Sequence, residues 1–491
     1  MLPPGGARLV AMAKQFPFYV AGRAENGSEQ LDVLNPYDGT VAGSFSVPDE
    51  AQVERAVQAA ADVTARSRAL PAATRAAALD HISRKLADRV DEIAELITAE
   101  NGKPVMWARA EANRAVSTFR WAAEEARRFS GDLQRLDTDA AAEGRMAVVR
   151  RFAKGPVLGI SPFNFPLNLA AHKVAPAIAC GAPIVLKPAL KTPLSALLLG
   201  EILAETDLPE GTWSILPVHD SRSAELVKDP RLPVISFTGS ETVGFTIAAE
   251  VPTKQVILEL GGNAAAVVMP DWQAEGDLDW AAARIATFGN YQAGQSCISV
   301  QRVLVHEDRY REFTEILTAK LADLATGDPK DPETVVGPLI NAAAAERVES
   351  WVAEAVDAGA TLLVGGKRNG TEYAPTLLAD VPSDAKVCSE EVFGPVMVVS
   401  SFGDVNEAFA TVNDSRFGLQ AGVFTHNVQI AFRAQAELEV GGIVIGDVPS
   451  YRADQMPYGG VKNSGSGREG IASAIEDYTD VRVMVLTGLD L

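Results

Sequence analysis

A chain of 491 residues is longer than one hydrophobic core usually supports, so its length predicts more than one packed unit. Hydrophobic residues make up 47% of the sequence and charged residues 22%, a balance that is typical of globular proteins and excludes a disordered chain. The 44 basic and 64 acidic residues leave a net charge of -20, which repels a phosphate backbone and excludes nucleic acid as a partner.

The sequence also lacks the patterns of membrane, secreted and metal-binding proteins. No apolar run reaches the length of about 18 residues that a membrane span needs, and the N-terminus lacks a basic start followed by an apolar segment. Three cysteines, Cys180, Cys297 and Cys388, are too scattered for a disulfide framework, and none has metal-ligand spacing with a histidine. We therefore predict a cytoplasmic protein with no metal site and no membrane partner.

The first and last predicted elements lie outside the central sheets. The region from Glu92 to Arg128, rich in Ala, Glu and Arg, predicts helices that precede the first sheet. The segments RMAVVRRF (145–152) and DVRVMVL (480–486) alternate as strands do. Because neither belongs to the sheets predicted between them, we expect these strands at a sheet edge or in a subunit contact.

Between residues 156 and 268, short apolar runs alternate with amphipathic stretches. The runs are VLGI (157–160), PIVLK (183–187), WSILP (213–217), PVISF (233–237), QVILEL (255–260) and AAAVVM (264–269). This rhythm predicts a parallel sheet with crossover helices. One of the helices has a clear predicted start, with Thr192 as its cap and Pro193 at its first position.

Past Met269 the same pattern returns with different loops. It includes a long helix from Glu307 to about Ala325, with one apolar side. The repeat of the pattern predicts a second α/β domain.

Several polar residues follow the predicted strands where these end. In parallel α/β sheets ligands bind beyond the carboxyl ends of the strands. Asn164, Lys187 and Ser240 each pass this test, and Glu259 lies on a mostly buried strand, where a carboxylate is costly without a role or a partner. The alternative to a ligand-binding role is a turn asparagine for Asn164, a surface lysine for Lys187 and a helix cap for Ser240.

Two further features of the sequence bear on function. Gly239 and Ser240 open a helix whose free N–H groups would hold a diphosphate, although a structural cap explains Ser240 equally well. Cys297 stands between a loop rich in Gly and Gln and an apolar stretch. Free cysteine is often a small buried hydrophobe, but this setting favours an accessible thiol.

These residues stand in eight segments that together resemble the aldehyde dehydrogenase superfamily, from about Phe16 to Leu486. The segments are PFNFP, LKPA, FTGS, LELGGN, GQSC, EEVFGPV, NDSRFGLQAGVF and MPYGGVKNSGSGREG. The resemblance implies an α/β fold with a Rossmann-like cofactor domain, an α/β catalytic domain and a bridging β-hairpin that makes homodimers or homotetramers.

The resemblance also implies a division of the chain. The NAD(P)-binding domain is expected at 15–131 and 152–260 with 454–477 packed back on it, the catalytic domain at 261–453, and the bridging segment at 132–151 and 478–491.

Carried over by position, the resemblance makes Cys297 the nucleophile, Asn164 the oxyanion donor and Glu259 the general base. It implies that a thiohemiacetal and then a thioester form on the sulfur, with hydride passing to a nicotinamide and water releasing the acid. The implied cofactor residues are Lys187 on the adenosine ribose, Gly239 and Ser240 on the diphosphate, Glu391 on the nicotinamide ribose, and Phe163, Leu260 and Phe393. A solvated charge beside Glu390 is the alternative for Glu391.

The base also separates the candidate functions. Relatives that pass the acyl group to coenzyme A commonly lack a glutamate at this position, so Glu259 favours hydrolysis. Coenzyme A acylation remains the alternative, and a non-enzymatic binding or scaffold protein is disfavoured because Cys297 and Glu259 are both present.

Some positions depart from the pattern. Leu190 replaces the glutamate that grips the ribose diol in many NAD-using relatives, which leaves NAD and NADP both open. Phe163 replaces a common tryptophan, and Gly446 stands where asparagine is frequent.

The closest likeness is to the branch with lactaldehyde and non-phosphorylating glyceraldehyde-3-phosphate dehydrogenases. Relatives that act on the phosphotriose tend to have an arginine and a tyrosine where this chain has Ser296 and Phe165. We therefore expect a small aldehyde as substrate. Arg120 and Arg452 are candidate anchors for an anionic or hydroxylated group, with surface arginines as the alternative.

Overall fold

A computed structural model describes residues 14–490, so Leu491, the last residue of the expected bridging segment, lies outside the described residues. In this part of the chain the helices are α1 (Glu50–Ala69), α2 (Ala72–Asp88), α3 (Val90–Asn101), α4 (Val105–Arg128), α5 (Asn168–Cys180), α6 (Leu194–Leu203), α7 (Asp220–Lys228), α8 (Glu241–Glu250), α9 (Asp277–Asn290), α10 (Glu307–Ala322), α11 (Ala342–Asp357), α12 (Lys386–Ser389), α13 (Val405–Asn413), α14 (Val428–Glu437) and α15 (Ile471–Asp477). No helix within residues 14–490 is long and apolar enough to cross a membrane.

The strands of the same residues are β1 (Gln15–Phe16), β2 (Phe18–Val20), β3 (Arg23–Glu25), β4 (Glu29–Leu34), β5 (Val41–Val47), β6 (Gly131–Arg135), β7 (Arg145–Ala153), β8 (Val157–Ile160), β9 (Ile184–Lys187), β10 (Trp213–Ile215), β11 (Val234–Thr238), β12 (Gln255–Glu259), β13 (Ala265–Val268), β14 (Arg302–His306), β15 (Thr361–Val364), β16 (Arg368–Asn369), β17 (Glu372–Tyr373), β18 (Thr376–Ala379), β19 (Val396–Phe402), β20 (Phe417–Gly418), β21 (Gln420–Phe424), β22 (Gly442–Ile445), β23 (Val461–Lys462), β24 (Gly465–Ser466) and β25 (Thr479–Thr487).

The first large sheet has the strand order β24-β12-β11-β8-β9-β10-β2-β3. Its centre, from β12 to β10, is parallel and confirms the first five predicted runs. These strands are buried on both faces by helices, which explains why their sequences are nearly continuous apolar runs. The register pairs Thr238 with Glu259 and Ile160 with Lys187, so the polar residues at the carboxyl ends lie along one edge.

The second large sheet has the order β15-β18-β19-β14-β13-β21-β22. Its strand β13, between β14 and β21, is the run AAAVVM; the alternation of runs predicts this strand in the first sheet, and that part of the prediction is wrong. A buried parallel strand has the same apolar sequence pattern in either sheet. The pattern alone therefore does not show where the chain passes from the first sheet to the second. The chain makes this crossing at residues 260–264, between β12 and β13.

The predicted strands at 145–152 and 480–486 are confirmed and pair with each other. β7 and β25 run antiparallel from Ala153 opposite Thr479 to Arg145 opposite Thr487, and β6 lies on the other side of β7. This three-stranded sheet, which we call the bridging sheet, stands apart from the two large sheets and exposes apolar side chains on β25.

The start of α6 differs from its prediction. The helix begins at Leu194, and its first N–H groups, from Leu194 and Ser195, donate to the Glu100 carboxylate at 2.7 and 3.1 Å. The Thr192 hydroxyl donates instead to the carbonyl of Phe163 at 3.3 Å, so Thr192 is not the cap. The capping group comes from α3, and a local sequence pattern cannot reveal it.

Other helix predictions agree with the structure. The region from Glu92 to Arg128 forms α3 and α4, which are separated by a short turn through Gly102, Lys103 and Pro104. The long helix predicted from Glu307 is α10, which ends at Ala322.

Candidate active site

A cavity of about 720 Å³ lies at the carboxyl ends of the first parallel sheet, where loops of the second sheet face it. Its walls include every site residue predicted from the sequence except Arg120. The predicted residues in the walls are Phe163, Asn164, Phe165, Lys187, Gly239, Ser240, Glu259, Leu260, Ser296, Cys297, Glu391, Phe393 and Arg452.

Cys297 is partly exposed in the wall of this cavity. It follows a tight loop in which Gln292, Ala293 and Gly294 have φ values of 57°, 53° and 70°, in the left-handed region. A Cβ on Gly294 would lie 2.1 Å from the Gly394 carbonyl oxygen, so glycine is required at this position. Burial raises the pKa of the Cys297 thiol to about 12, so at neutral pH the thiol keeps its proton until another group accepts it.

The Tyr458 hydroxyl lies 3.1 Å from the Cys297 sulfur. The Arg452 guanidinium stacks on the other side of this tyrosine, 3.8 Å from the ring centre. Tyr458 stands in the quoted segment MPYGG, but the sequence did not identify it as a site residue.

Asn164 lies in the loop after β8 and is buried. Its side-chain Nδ2 donates to the carbonyl of Gln295 at 3.0 Å, two residues before Cys297 in the chain. The amide therefore points at the loop that carries the thiol. This position is more specific than the turn asparagine that the sequence left as an alternative.

Glu259 ends β12 and is only 3% exposed. Within residues 14–490 neither of its carboxylate oxygens has a hydrogen-bond partner. Burial, followed by the neighbouring Glu469, raises the pKa of Glu259 well above its usual value, against the opposing charges of Arg452 and Lys173. A buried carboxyl without partners typically costs about 1–3 kcal/mol, so this group is held in a state suited to accepting and releasing protons.

The start of α8 has the features of a diphosphate site. Ser240 precedes the helix, and its side chain makes no capping hydrogen bond, which leaves the first N–H groups available and does not support the alternative of a cap. A Cβ on Gly244 would lie 2.4 Å from the Leu260 side chain, so the helix packs directly on the end of β12. Free N–H groups at a helix N-terminus are suited to a phosphate anion.

Groups that suit ribose hydroxyls lie on both sides of that helix start. Lys187 is buried at the end of β9, unlike a surface lysine, and donates to the Asp220 carboxylate at 2.7 Å. Glu391 accepts from the Gly262 N–H at 3.0 Å, and burial raises the pKa of its carboxyl to about 7. The rings of Phe163 and Phe393 meet edge to face at 5.9 Å. These donors, acceptors and aromatic faces fit a dinucleotide.

Two arginines line the cavity, and each is paired with a carboxylate. They are Arg114 and Arg452, and Asn168 from the start of α5 lines the cavity with them. Arg114 donates to Asp454 at 2.9 Å, and Arg452 donates to Glu469 at 2.9 Å. In the described part of the chain, Arg452 Nε and Asn168 Nδ2 are buried and have no hydrogen-bond partner, so both donors remain free.

Of the remaining substrate candidates, Ser296 and Phe165 line the cavity and Arg120 does not. Ser296 accepts from the Tyr291 hydroxyl at 2.7 Å, and the ring of Phe165 lies 6.3 Å from that of Tyr291. Arg120 is exposed outside the cavity, with its guanidinium 5.0 Å from the Trp121 ring.

Arg114, which the sequence analysis missed, is the arginine of α4 that reaches the cavity. It shares a helix face with the buried Glu111 and Thr118, one turn away on either side. Helical periodicity could have favoured Arg114 over Arg120, because this face packs on α5.

Comparison with known proteins supports one family. The sequence profile of the aldehyde dehydrogenase family matches residues 23–484. A 3-sulfolactaldehyde dehydrogenase from Priestia aryabhattai is 41% identical over 478 residues, which are 97% of this chain and 99% of that relative.

Solved structures give the same result. The crystal structure of aldehyde dehydrogenase 21 from Physcomitrella patens, in complex with its reaction product succinate, is 41% identical, with a TM-score of 0.95 over 98% of this chain and 100% of that one. A glyceraldehyde-3-phosphate dehydrogenase from Methanocaldococcus jannaschii complexed with NADP is 34% identical, with a TM-score of 0.88 over 94% and 100% of the two chains. The chain therefore belongs to the aldehyde dehydrogenase family and is an NAD(P)-dependent enzyme that oxidises aldehydes.

Proposed function

We propose that the oxidation proceeds on Cys297, with Asn164 as the oxyanion donor and Glu259 as the general base. The observation that carries this proposal is the unpartnered, buried Glu259 carboxyl in the same cavity as the Cys297 thiol. Burial raises both pKa values, so the Cys297 thiol begins the cycle protonated, and the carboxylate form of Glu259 is a stronger base than an exposed glutamate.

In the first half-reaction the Cys297 thiol gives its proton through water to the solvent, and its sulfur bonds to the aldehyde carbon. The new oxyanion accepts a hydrogen bond from Asn164 Nδ2, a donor worth about 3 kcal/mol at a transition state. A nicotinamide cofactor, held by Glu391, would supply the acceptor for the hydride that leaves this carbon. A thioester then remains on Cys297.

In the second half-reaction Glu259 takes a proton from water, and the oxygen of that water attacks the thioester carbon. The Cys297 sulfur leaves and the carboxylic acid is released. A base at this position supports hydrolysis, and the alternative of acyl transfer to coenzyme A is not favoured.

The cofactor is NAD or NADP. We propose that Lys187 contacts the adenosine ribose, that Gly239 and Ser240 at the start of α8 hold the diphosphate, and that Glu391 accepts from the nicotinamide ribose. Phe163, Leu260 and Phe393 would form the apolar walls of this part of the cavity. Their place in the cavity wall and the free N–H groups at the start of α8 support these roles.

We propose that the substrate is a small aldehyde with a carboxylate or sulfonate at its other end. Arg114 and Arg452 bring guanidinium groups to the cavity wall, and Arg452 Nε and Asn168 Nδ2 are N–H donors without a partner in the described chain. Two of the relatives named above are a 3-sulfolactaldehyde dehydrogenase and an aldehyde dehydrogenase whose reaction product is succinate, and both of these compounds carry such an anion. Ser296 and Phe165 would form the wall between these donors and the thiol.

An aldehyde panel with NAD+ and NADP+ tests the proposal. Aldehydes of matched length that end in an anion should give kcat/KM values about 10- to 100-fold above those of neutral ones. Cys297→Ser should abolish turnover. Glu259→Gln should give one burst of reduced cofactor and a stalled acyl-enzyme, visible as added mass on the intact protein.

Cys388→Ser, which changes another partly buried cysteine, is the matched control and should keep full activity. A fully active serine variant at 297, or normal acid release by the glutamine variant at 259, would show that the assigned roles are wrong. Equal rates with anionic and neutral aldehydes would refute the substrate class alone.

We also propose the domain division expected from the sequence. Strands β8 to β12 fall within 152–260, strands β13 to β22 fall within 261–453, and β24 falls within 454–477. The protein would work in the cytoplasm as a homodimer or homotetramer joined through the bridging sheet, which exposes large apolar side chains on β25.

A further inference from the structure

A buried ion pair lies directly behind the loop that carries Asn164. Lys103, in the turn between α3 and α4, has no exposed side-chain surface, and its ammonium group contacts the equally buried Glu111 carboxylate. The same Lys103 nitrogen donates to the main-chain carbonyl of Asn164 at 2.8 Å. It also lies 3.9 Å from the centre of the Phe165 ring.

The other partner of the pair holds the start of α5. One carboxylate oxygen of Glu111 accepts from the N–H groups of Leu167 and Asn168 at 3.0 and 3.1 Å. The pair therefore fixes the chain at Asn164 through Lys103 and again just after it through Glu111.

Asn101, the last residue of α3, completes this support. Its side-chain nitrogen donates to the carbonyl of Phe163 at 2.6 Å, and its oxygen accepts from the Gln292 side chain. The peptide groups on both sides of Asn164 are thus held by residues 101 and 103. Gln292 belongs to the loop that leads to Cys297, so Asn101 also contacts the loop that carries the thiol.

Stability alone does not explain this arrangement well. Removing a lysine and a glutamate from water costs several kcal/mol for each ion, and apolar residues of similar size would often stabilise a core as well. Burial also lowers the pKa of Lys103, against the attraction of Glu111. What the pair adds is direction, since an ammonium group can donate to the Glu111 carboxylate and the Asn164 carbonyl at once.

We infer that Lys103 is a positioning residue for the oxyanion donor, holding the Asn164 peptide so that its side-chain amide faces the carbon that bonds to Cys297. This inference rests on the proposed role of Asn164. Lys103 itself touches no reacting atom. Its effect belongs to the steps in which an oxyanion forms.

A paired substitution isolates this effect. Lys103→Met alone would leave Glu111 as an unpaired buried charge and could prevent folding. In Lys103→Met/Glu111→Gln the glutamine oxygen still accepts from Leu167 and Asn168, while the donor to the Asn164 carbonyl is lost. Glu100→Gln is the matched control, because Glu100 caps α6 in the same way and has no bond to Asn164.

The experiment is a double-mutant cycle with Asn164→Ala, followed by the single-turnover rate of cofactor reduction. The paired variant should slow this step about 10- to 100-fold in the wild-type background and less than about twofold in the Asn164→Ala background. Alkylation of Cys297 by iodoacetamide forms no oxyanion, so its rate should stay within about twofold. Glu100→Gln should leave both rates near wild type.

Two outcomes overturn the inference separately from the proposed function. Equal losses in both backgrounds, or the same loss from Glu100→Gln, would show that Lys103 acts on general stability and would leave the role of Asn164 intact. An Asn164→Ala variant with the full wild-type rate would instead refute the oxyanion role, and the positioning role with it.

Discussion

Tyr458 connects the nucleophile to Arg452 in the cavity wall. Burial raises the pKa of its phenol well above the usual value, so the hydroxyl stays protonated and can donate to the Cys297 sulfur at 3.1 Å. The Arg452 guanidinium over the ring attracts its electrons and makes the hydroxyl a better donor. This hydrogen bond lowers the pKa of the Cys297 thiol, against the larger effect of burial.

Tyr458→Phe should therefore make the thiol less reactive. Losing a hydrogen bond to the thiolate raises the thiol pKa further, so the thiolate fraction at any pH below that pKa falls, by about tenfold for a bond of ~1.4 kcal/mol. The measurement is the iodoacetamide alkylation rate of Cys297 between pH 7 and 9, in the Cys180→Ser/Cys388→Ser background. An unchanged or faster rate would mean that the tyrosine does not donate to the sulfur.

At the level of elements, the ends of β9 and α7 form the pocket that we propose for the adenosine ribose. Leu190 brings no carboxylate to this pocket, but Asp220 at the start of α7 lies 2.7 Å from Lys187. The hydrogen bond and the charge of Lys187 lower the pKa of Asp220, so its carboxylate is charged at neutral pH. A negative charge here can accept from ribose hydroxyls and repels a 2′-phosphate.

Asp220→Asn should accordingly shift the preference towards NADP+. We expect the ratio of the Kd values for NADP+ and NAD+ to fall about fivefold at low salt, and less at 1 M salt, because exposed charges are screened. Fluorescence titration with 2′,5′-ADP and 5′-AMP measures the same effect without turnover. If the variant binds both nucleotides in the wild-type ratio, Asp220 does not face the 2′ position.

The sequence predicted the elements that carry the site because their patterns are local. The strands β8 to β12 are buried on both faces, so each reads as an apolar run, and the polar residues that follow them had to share an edge. The positions of Asn164, Lys187, Ser240 and Glu259 in one cavity follow directly from that reasoning.

What the sequence could not give depends on contacts between distant segments. The cap of α6 comes from Glu100, and the support of Asn164 comes from Lys103 and Glu111. The choice of Arg114 over Arg120 depends on which face of α4 packs on α5. Apolar periodicity does not predict contacts between distant segments, because each of these residues alone resembles an ordinary charged residue on a helix surface.

At the scale of the whole molecule, the bridging sheet differs from the two large sheets. In the described chain it consists of β6, β7 and β25, with β25 at an edge, and Val481, Val483 and Val485 alternate along β25 on one face. These side chains are 50 to 59% exposed. A row of exposed valines on an edge strand is a surface suited to pairing with a second copy of the chain.

Charge on this row should therefore weaken self-association. Wild-type protein at micromolar concentration should show the mass of a dimer or tetramer by light scattering after gel filtration. Val483→Glu/Val485→Glu should shift this mass to that of a smaller species. The reason is that each carboxylate buried in the contact would lose its hydration without gaining a partner. Leu34→Glu, which charges an exposed apolar residue on β4, is the control and should keep the wild-type mass. A double variant with unchanged mass would show that the subunit contact lies elsewhere. A monomeric wild type would show that the chain forms no such contact.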